Sequence, residues 1–407
     1  MFRLWKIAIR DLGRNKRRSG LTLVAVALGL GLLIVTSGFI EGSVAGSIEN
    51  NIRVQTGHVQ IREESYDEGK VSLKWEDLLN DTQGLVAQAR TLAGVRVATP
   101  VLWASGILST REESAGVRVF GIDPLSEASA PFQEGVTSGQ FLTPDDRGGV
   151  LMGQRLAESL GVSVGDNVSL LVNTADEQPD EAVFTIRGLY NTRIPAYDEV
   201  TVFLPLAKAQ AFTRTEGRAS AILILLHHQE DADAVASVLS APGLNVLTWH
   251  DLNQLILQAV ETSMGMMYLM YLVVLAVVAV VIANTLLMAV FERTREMGIL
   301  AALGMKGRQI MAMFVLEATT LGVIGIILGI LLGSLGVYYL ATQGWHIGEM
   351  ATAASAEIGY SETIYARFSV SDTVSLSIAE LVITLLASLY PAWFAARLEP
   401  IDALRAL

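Results

Sequence analysis

Residues 291–308 read Phe291-Glu292-Arg293-Thr294-Arg295-Glu296-Met297-Gly298-Ile299-Leu300-Ala301-Ala302-Leu303-Gly304-Met305-Lys306-Gly307-Arg308. They separate two long apolar runs, 264–290 and 310–340. Each run is long enough to cross roughly 30 Å of hydrocarbon. A polar link this short makes the two runs a membrane hairpin. The link itself is helix-compatible, and its charges and small residues predict a surface that docks onto another protein.

Working outward, two more stretches qualify as spans, 20–40 and about 374–396. The expected layout is a basic segment 1–19, a first span 20–41, a large insert 42–262 and a second span 263–290. The link 291–308 follows, then a third span 309–340, a shorter insert 341–373, a fourth span 374–396 and a tail 397–407. The fold class is therefore a four-helix membrane protein carrying a large extracytoplasmic α/β (α+β) domain. The composition fits both parts, being 51% hydrophobic with 41 acidic residues and a mean hydropathy of +0.44. An insert of more than two hundred residues is long enough to build its own core.

Orientation follows from lysine and arginine near the span ends. The start carries Arg3, Lys6, Arg10, Arg14, Lys16, Arg17 and Arg18, the link Arg293, Arg295, Lys306 and Arg308, and the tail Arg397 and Arg405. Only Asp11, Glu292, Glu296, Glu399 and Asp402 oppose them there, although the whole chain has a net charge of −12. Both termini and the link are expected in the cytoplasm, and the acidic inserts outside. An even number of crossings gives the same answer. Ser43-Val44-Ala45 has the look of a signal-peptidase site, but the apolar run before it exceeds the usual signal core, so it reads as a retained span. Leu4, Ala8 and Leu12, with Trp5 and Ile9, oppose Arg3, Lys6 and Arg10, which predicts an amphipathic segment on the inner leaflet. There is no cysteine, so the exported domain is held by packing rather than disulfides.

Within the large insert, strands are expected at 58–62, 117–122, 167–172, 183–189, 201–204, 222–226 and 244–247. Helices are expected at 78–92, 151–160, 206–212, 231–239 and 250–258. Residues 121–149 read as an excursion and 176–181 as an acidic exposed loop. Chemistry is scarce. No phosphate-binding loop of the Gly-x-x-x-x-Gly-Lys type is present, so the chain is not expected to bind ATP or act as an enzyme. His58, His227, His228, His250 and His346 show no metal-ligand spacing, and no metal is expected. Gly161-Val162-Ser163-Val164-Gly165 matches the letters of a nucleophile elbow, but an elbow runs strand–turn–helix. Here the expected order is helix–turn–strand, with Gly161 as the helix cap.

The spans carry further signals. Gly325, Gly329 and Gly333 recur every four residues, flanked by Gly322 and Gly336, and allow close helix packing within the chain or between subunits. Gly38, Gly42 and Gly46 repeat the spacing. Met264, Met267 and Met270, with Tyr268 and Tyr271, make an adaptable apolar surface, either for acyl chains of a cargo or as lipid-facing filler. Glu317 and Glu380 stand inside spans, where carboxyl groups are costly and face protein or a polar partner.

Several of these stretches carry a resemblance. Ala8-Ile9-Arg10 with Lys16-Arg17-Arg18 opens the chain. Glu292–Gly304, Tyr390-Pro391-Ala392-Trp393-Phe394-Ala395-Ala396-Arg397 and Pro400-Ile401-Asp402-Ala403-Leu404-Arg405 follow. On these the chain resembles the FtsX-like/MacB-like permeases of ABC transporters. Gly57-His58-Val59-Gln60-Ile61 leans towards the lipoprotein-releasing (Lol-type) branch. The resemblance implies a bacterial inner-membrane subunit driven by a separate cytoplasmic ATPase dimer, with ATP and Mg on that partner. It also implies a second permease chain and force transmission through Glu292, Arg293, Arg295, Glu296, Met297, Gly298, Ile299 and Leu300. A lipoprotein or other envelope cargo is expected, with a periplasmic chaperone as a further partner and no nucleic acid. A macrolide or peptide exporter half, and a regulator of cell-wall hydrolases, are the alternatives.

Overall fold

The computed structural model describes residues 16–348, apart from 68, 70 and 72, and residues 361–397. The amphipathic start at 2–12, much of the 341–373 insert and nearly all of the tail lie outside them. The helices are α1 (Lys16–Asn51), α2 (Thr82–Arg90), α3 (Gln154–Leu160), α4 (Leu206–Thr213), α5 (Ala232–Leu239), α6 (Gln254–Glu292), α7 (Thr294–Ala302), α8 (Gly307–Gln343) and α9 (Val370–Ala396). The strands are β1 (Val59–Glu63), β2 (Val95–Ser109), β3 (Ser114–Ile122), β4 (Val136–Gly139), β5 (Gly149–Gly153), β6 (Asn167–Asn173), β7 (Pro179–Tyr190), β8 (Thr201–Pro205), β9 (Ala221–Leu226) and β10 (Leu244–Thr248). They form two compact units. One comprises residues up to Val44, Ala259–Trp345 and Ile364 onward, and the other Ala45–Gln258 with His346–Thr363.

The first unit is a helix bundle. The long helices α1, α6, α8 and α9 are each long and apolar enough to cross a membrane. Hydrophobic residues surround them almost completely, so lipid-facing Leu21, Val277 and Leu331 are as apolar as buried Leu30, Val278 and Ile326. What distinguishes the inside is size and polarity. A methyl carbon placed on Gly325 would stand 2.5 Å from Val26 Cγ1, and one on Gly333 would stand 2.8 Å from Ile34 Cβ. The glycine stripe of α8 is therefore filled by α1 of the same chain. On the neighbouring face, Gly322 meets Thr384 of α9. Near the other end, the Arg367 N–H donates to Gly38 O at 2.8 Å and Ser37 Oγ donates to Asp372 Oδ2 at 2.7 Å. The expected first span ended at 41, but the helix runs on to Asn51 without a break.

The second unit is an α/β domain in two parts that share β2. The first half of β2 pairs with β9, which pairs with β1, which pairs with β10, giving a four-stranded antiparallel sheet. The second half of β2 pairs with both β3 and β6. The pairings β3–β8, β8–β5, β5–β7 and β7–β6 complete a ring, so this part is a closed six-stranded barrel without free edges. Leu102, Leu108, Val150, Phe184, Ile186 and Leu204 fill the barrel. Val59, Ile61, Ile222 and Ile224 pack against α2 and α5 on one face of the open sheet.

Several expectations are corrected. Residues 151–153 belong to β5, and the helix expected at 151–160 begins only at Gln154. β5 is buried on both faces between β7 and β8, and such a strand has no alternation to distinguish it from a buried helix. Residues 179–181 are paired in β7 rather than looped, so the acidic turn is confined to 174–178. The helix expected at 250–258 is present but interrupted at Asn253: a one-turn helix, Trp249–Leu252, precedes Gln254, where α6 opens and runs on into the second span. The helix expected at 78–92 covers only Thr82–Arg90, capped by Asp81 accepting from the Gly84 N–H at 2.9 Å. β2 had no counterpart among the expected elements. The Gly161 reading stands: α3 ends there with φ +64 and strand β6 follows, the opposite order to an elbow.

Candidate coupling site

The quoted stretch folds as a separate short helix between two membrane helices. α6 stops at Glu292 because Arg293 leaves helical backbone (φ −111, ψ 12), and α7 starts at Thr294. Its far end is closed by a Schellman arrangement. Gly304, with φ +90, donates to Ala301 O at 3.0 Å, and the Met305 N–H donates to Leu300 O at 3.0 Å. Leu300 and Met305 then share one apolar cluster. α8 begins after Lys306, whose N–H donates to Gln309 Oε1 at 3.0 Å.

A charge cluster fixes the near end. The Arg293 side chain is 1% exposed, with Nη1 3.4 Å from Glu317 Oε2 on α8. Arg18 of α1 reaches both acids, Nη2 at 3.7 Å from Glu317 Oε1 and Nη1 at 2.8 Å from Glu292 Oε2. Two cations and two carboxylates thus tie α1, α6, α7 and α8 at one point. Guanidinium groups, always charged and able to reach two carboxylates, suit such a junction. Arg18 was read from the sequence as a topology charge and as part of the basic start, not as a partner of Glu317. No spacing rule connects it to residues nearly three hundred positions away.

α7 has two faces. Met297 and Gly298 are buried, and Leu300 and Ala301 half-buried, against Ala289, Val290, Phe314 and Ala392. Arg295, Glu296, Ile299, Ala302 and Leu303 point outward at helical spacing, with Leu303 80% exposed. The eight residues expected to couple therefore divide. Arg295, Glu296 and Ile299 lie on the outer face of α7, Glu292 ends α6 and pairs with Arg18, and Arg293, Met297, Gly298 and Leu300 hold the helix to the bundle. Gly298, expected among the coupling residues, is buried on the inner side of α7.

The methionine-rich surface divides as well. Met264, Tyr268 and Met270 are exposed along α6, while Met267 is half-buried and Tyr271 is 8% exposed against the bundle interior. Gly325, Gly329 and Gly333 face α1, as described. Glu380, at 0% exposure in α9, is the second intramembrane acid, and among the described residues nothing hydrogen-bonds its carboxyl oxygens.

Two family descriptions match this architecture. The FtsX-like permease C-terminal family matches residues 268–400, and the MacB-like periplasmic core domain matches residues 19–241, more than half of the chain. The chain is 24% identical over 420 residues to the lipoprotein-releasing system transmembrane protein LolC of Neisseria meningitidis serogroup B, covering 96% of each. It is 25% identical to LolE of Haemophilus influenzae, covering 94% of this chain and 92% of that one. The macrolide export ATP-binding/permease protein MacB of Campylobacter jejuni is 25% identical over 99% of this chain and 61% of its own length. The periplasmic region of MacB from Actinobacillus actinomycetemcomitans aligns with 51% of this chain and 97% of its own, at 14% identity and a TM-score of 0.35. The chain belongs to the family of FtsX-like, MacB-like permeases, the membrane subunits of ABC transporters.

Proposed function

We propose that this permease removes lipid-anchored proteins from the outer leaflet of a bacterial inner membrane. A separate cytoplasmic ATPase dimer holds ATP and Mg, and a second permease chain completes the complex. The observation that carries the coupling half of this reading is α7. Its inner face is clamped through Arg293–Glu317 and Met297, so a push on Arg295, Glu296, Ile299 and Leu303 cannot be absorbed by local bending. It passes to α6 and α8 as rigid bodies, and from them to the exported domain. Closure of the ATPase on nucleotide would favour one bundle conformation through differential contact with that face. The lipoprotein cargo rests on the near-complete overlap with Lol-type relatives. Overlap with the macrolide exporter over 99% of this chain keeps an exporter half as the second reading.

The test uses the complex reconstituted in lipid. A photo-crosslinker at exposed Tyr268 of α6 should capture lipoprotein, while one at buried Met313 should not. Glu296→Lys should leave ATP hydrolysis running while release stops, because hydrolysis and release are joined through that face. Capture of phospholipid or macrolide alone at Tyr268 would move the assignment to the exporter reading. Orientation is tested with the full chain in cells. Cysteine at exposed Asp145 should react with an impermeant reagent from outside, and cysteine at exposed Leu303 should not.

A further inference from the structure

The chain enters and leaves the exported domain at neighbouring points. α1 carries on to Asn51 and α6 starts at Gln254, each roughly 15 Å past the expected span limits at 41 and 263. Both helix ends are marked by a break. After Asn51 the backbone widens into a single π-turn, Ile52–Thr56, and Gly57, with φ +64, directs it into β1. On the return, β10 ends at Thr248, one helical turn follows at Trp249–Leu252, and Asn253 leaves helical backbone (φ −108, ψ 21) before α6. β1 and β10 are adjacent strands with Val59 opposite Thr248, and the Trp249 N–H donates to His58 O at 2.8 Å.

The two junctions are fixed to the domain and to each other. Gln60 Nε2 donates to Thr56 O at 2.7 Å and Tyr197 Oη donates to Val54 O at 3.1 Å, which holds the π-turn. Thr248 donates to Asp251 Oδ2 from its N–H at 2.9 Å and from its Oγ1 at 2.8 Å, which holds the opposite junction. Between them, Asn51 Nδ2 donates to Asn253 Oδ1 at 2.6 Å. Asn253 is 1% exposed, and its own Nδ2 donates to Trp249 O at 2.6 Å, which leaves Oδ1 to face Asn51. An asparagine amide donates and accepts at once, so neither a carboxylate nor an apolar side chain could complete this relay. Single π-turns of this kind are frequent at functional sites.

We propose that Asn51 and Asn253 are positioning residues that lock α1 to α6 where both enter the exported domain, so that movement of the two helices reaches β1 and β10 as one displacement. A close-packed sheet passes such a displacement on instead of absorbing it. Without the bond, each helix end would pivot about its own break, the π-turn on one side and Asn253 on the other. The inference rests on the coupling reading above but on no particular cargo.

The test adds ATP to the complex reconstituted in lipid and reads the distance between two nitroxide labels by pulsed electron spin resonance. The chain has no native cysteine, so Asp145→Cys in the domain and Tyr338→Cys on α8, both exposed, take the labels specifically. The parent distance should change when ATP binds. Asn51→Leu keeps the bulk and removes the donor, Asn51→Ala removes both, and each should lose most of that change while thermal unfolding shows a folded chain. Gln154→Ala deletes a surface hydrogen bond to Glu158 elsewhere in the domain and should respond like the parent. A full response in Asn51→Leu, or an equal loss in Gln154→Ala, would overturn the joint and leave the coupling reading standing. A parent distance that ignores ATP would overturn the coupling reading and the joint with it.

Discussion

Glycine does different work in the two units. In the bundle, Gly325, Gly329 and Gly333 have ordinary helical backbone, and what matters is the absent side chain. A methyl carbon on Gly329 would stand 2.8 Å from Leu30 Cβ and 3.1 Å from Ala27 O. In the exported domain, Gly161 has φ +64 and nothing within 4 Å of where a methyl group would stand, so what matters there is the backbone. The contrast extends to polar groups. The bundle buries charges as a joint between helices, whereas the domain closes its barrel with Leu, Val and Phe and keeps ion pairs such as Arg214–Asp176 and Lys74–Glu177 outside. Hydrocarbon gives helices no hydrophobic reason to prefer one another, so small residues and polar contacts must specify their packing. In water, burial of apolar surface does that work.

The strongest challenge to this contrast is Arg293→Ala. Removing one partner of a buried pair takes away the cation 3.4 Å from the Glu317 carboxylate, and such losses typically cost about 3–5 kcal/mol. Thermal unfolding of the purified chain should show a large drop, with most of it recovered in the double variant Arg293→Leu/Glu317→Leu. If Arg293→Ala unfolds like the parent, the charge joint does not hold the bundle.

A buried acid of the exported domain tests the other side. Asp198 is 2% exposed and accepts from the Thr192 N–H at 3.0 Å and Thr192 Oγ1 at 2.8 Å. Burial nevertheless raises its pKa from 3.8 to about 7, the Thr192 bonds offsetting only part of that cost. A raised carboxyl pKa means that the folded state binds the proton more tightly than the unfolded state. The stabilisation is complete below pH 4 and is lost as pH rises through about 7, amounting to at most about 4 kcal/mol. Asp198→Asn keeps an acceptor for Thr192 without the charge. Its stability should therefore fall less than the parent's between pH 4 and pH 8, and a parallel profile in the two proteins would contradict a buried, proton-holding Asp198.

The glycine contrast itself is tested by Gly329→Leu and Gly161→Ala. The first overpacks α8 against α1 and should cost about 1–3 kcal/mol, with a compensating Leu30→Ala restoring part of it. The second forces a side chain into left-handed backbone and should cost about 1 kcal/mol, with no second-site rescue. Rescue of Gly161→Ala by trimming a neighbour would erase the distinction.

How much of this was legible follows the same division. Span length and hydropathy marked the four membrane helices, and a charged stretch between two of them marked α7. The glycine spacing showed that close packing would occur. It left open whether α1 or another subunit would fill the stripe, because a uniformly apolar helix has no favoured face to read. The partners in the Arg18–Glu317–Arg293 cluster stayed unnamed for a related reason: a polar partner was expected for Glu317, but each arginine has an independent local explanation, Arg18 as a topology charge and Arg293 as part of the charged link. In the domain, a continuous apolar run located β9, and alternation located β1, β3 and β6. It failed at β5, which is buried on both faces, and at β2, where Pro100, Gly106 and small residues argue against a strand. Pro100 is accommodated within the β2–β9 ladder, opposite Ile222, and the shared strand makes the domain one body.

The smallest effect is expected at the surface of that body. Arg214 holds Asp176 at 3.1 Å and Asp180 at 3.7 Å, across the turn where the sequence suggested a free acidic loop. All three side chains are between 42% and 49% exposed. Solvent screening and the entropy of ordering long side chains leave such pairs worth about 0–1 kcal/mol. The turn is already secured by backbone bonds, Thr174 N–H to Gln178 O at 2.9 Å and Glu177 N–H to Thr174 O at 2.9 Å. Arg214 itself occupies left-handed backbone, φ +58, at the end of α4. Arg214→Ala therefore removes the ion pairs but leaves that strain, whereas Arg214→Gly removes both. The expected order is alanine slightly below the parent and glycine level with it or above, all within about 1 kcal/mol. A larger loss in both variants would mean that surface charge, and not the barrel's apolar interior, holds β6 and β7 in register.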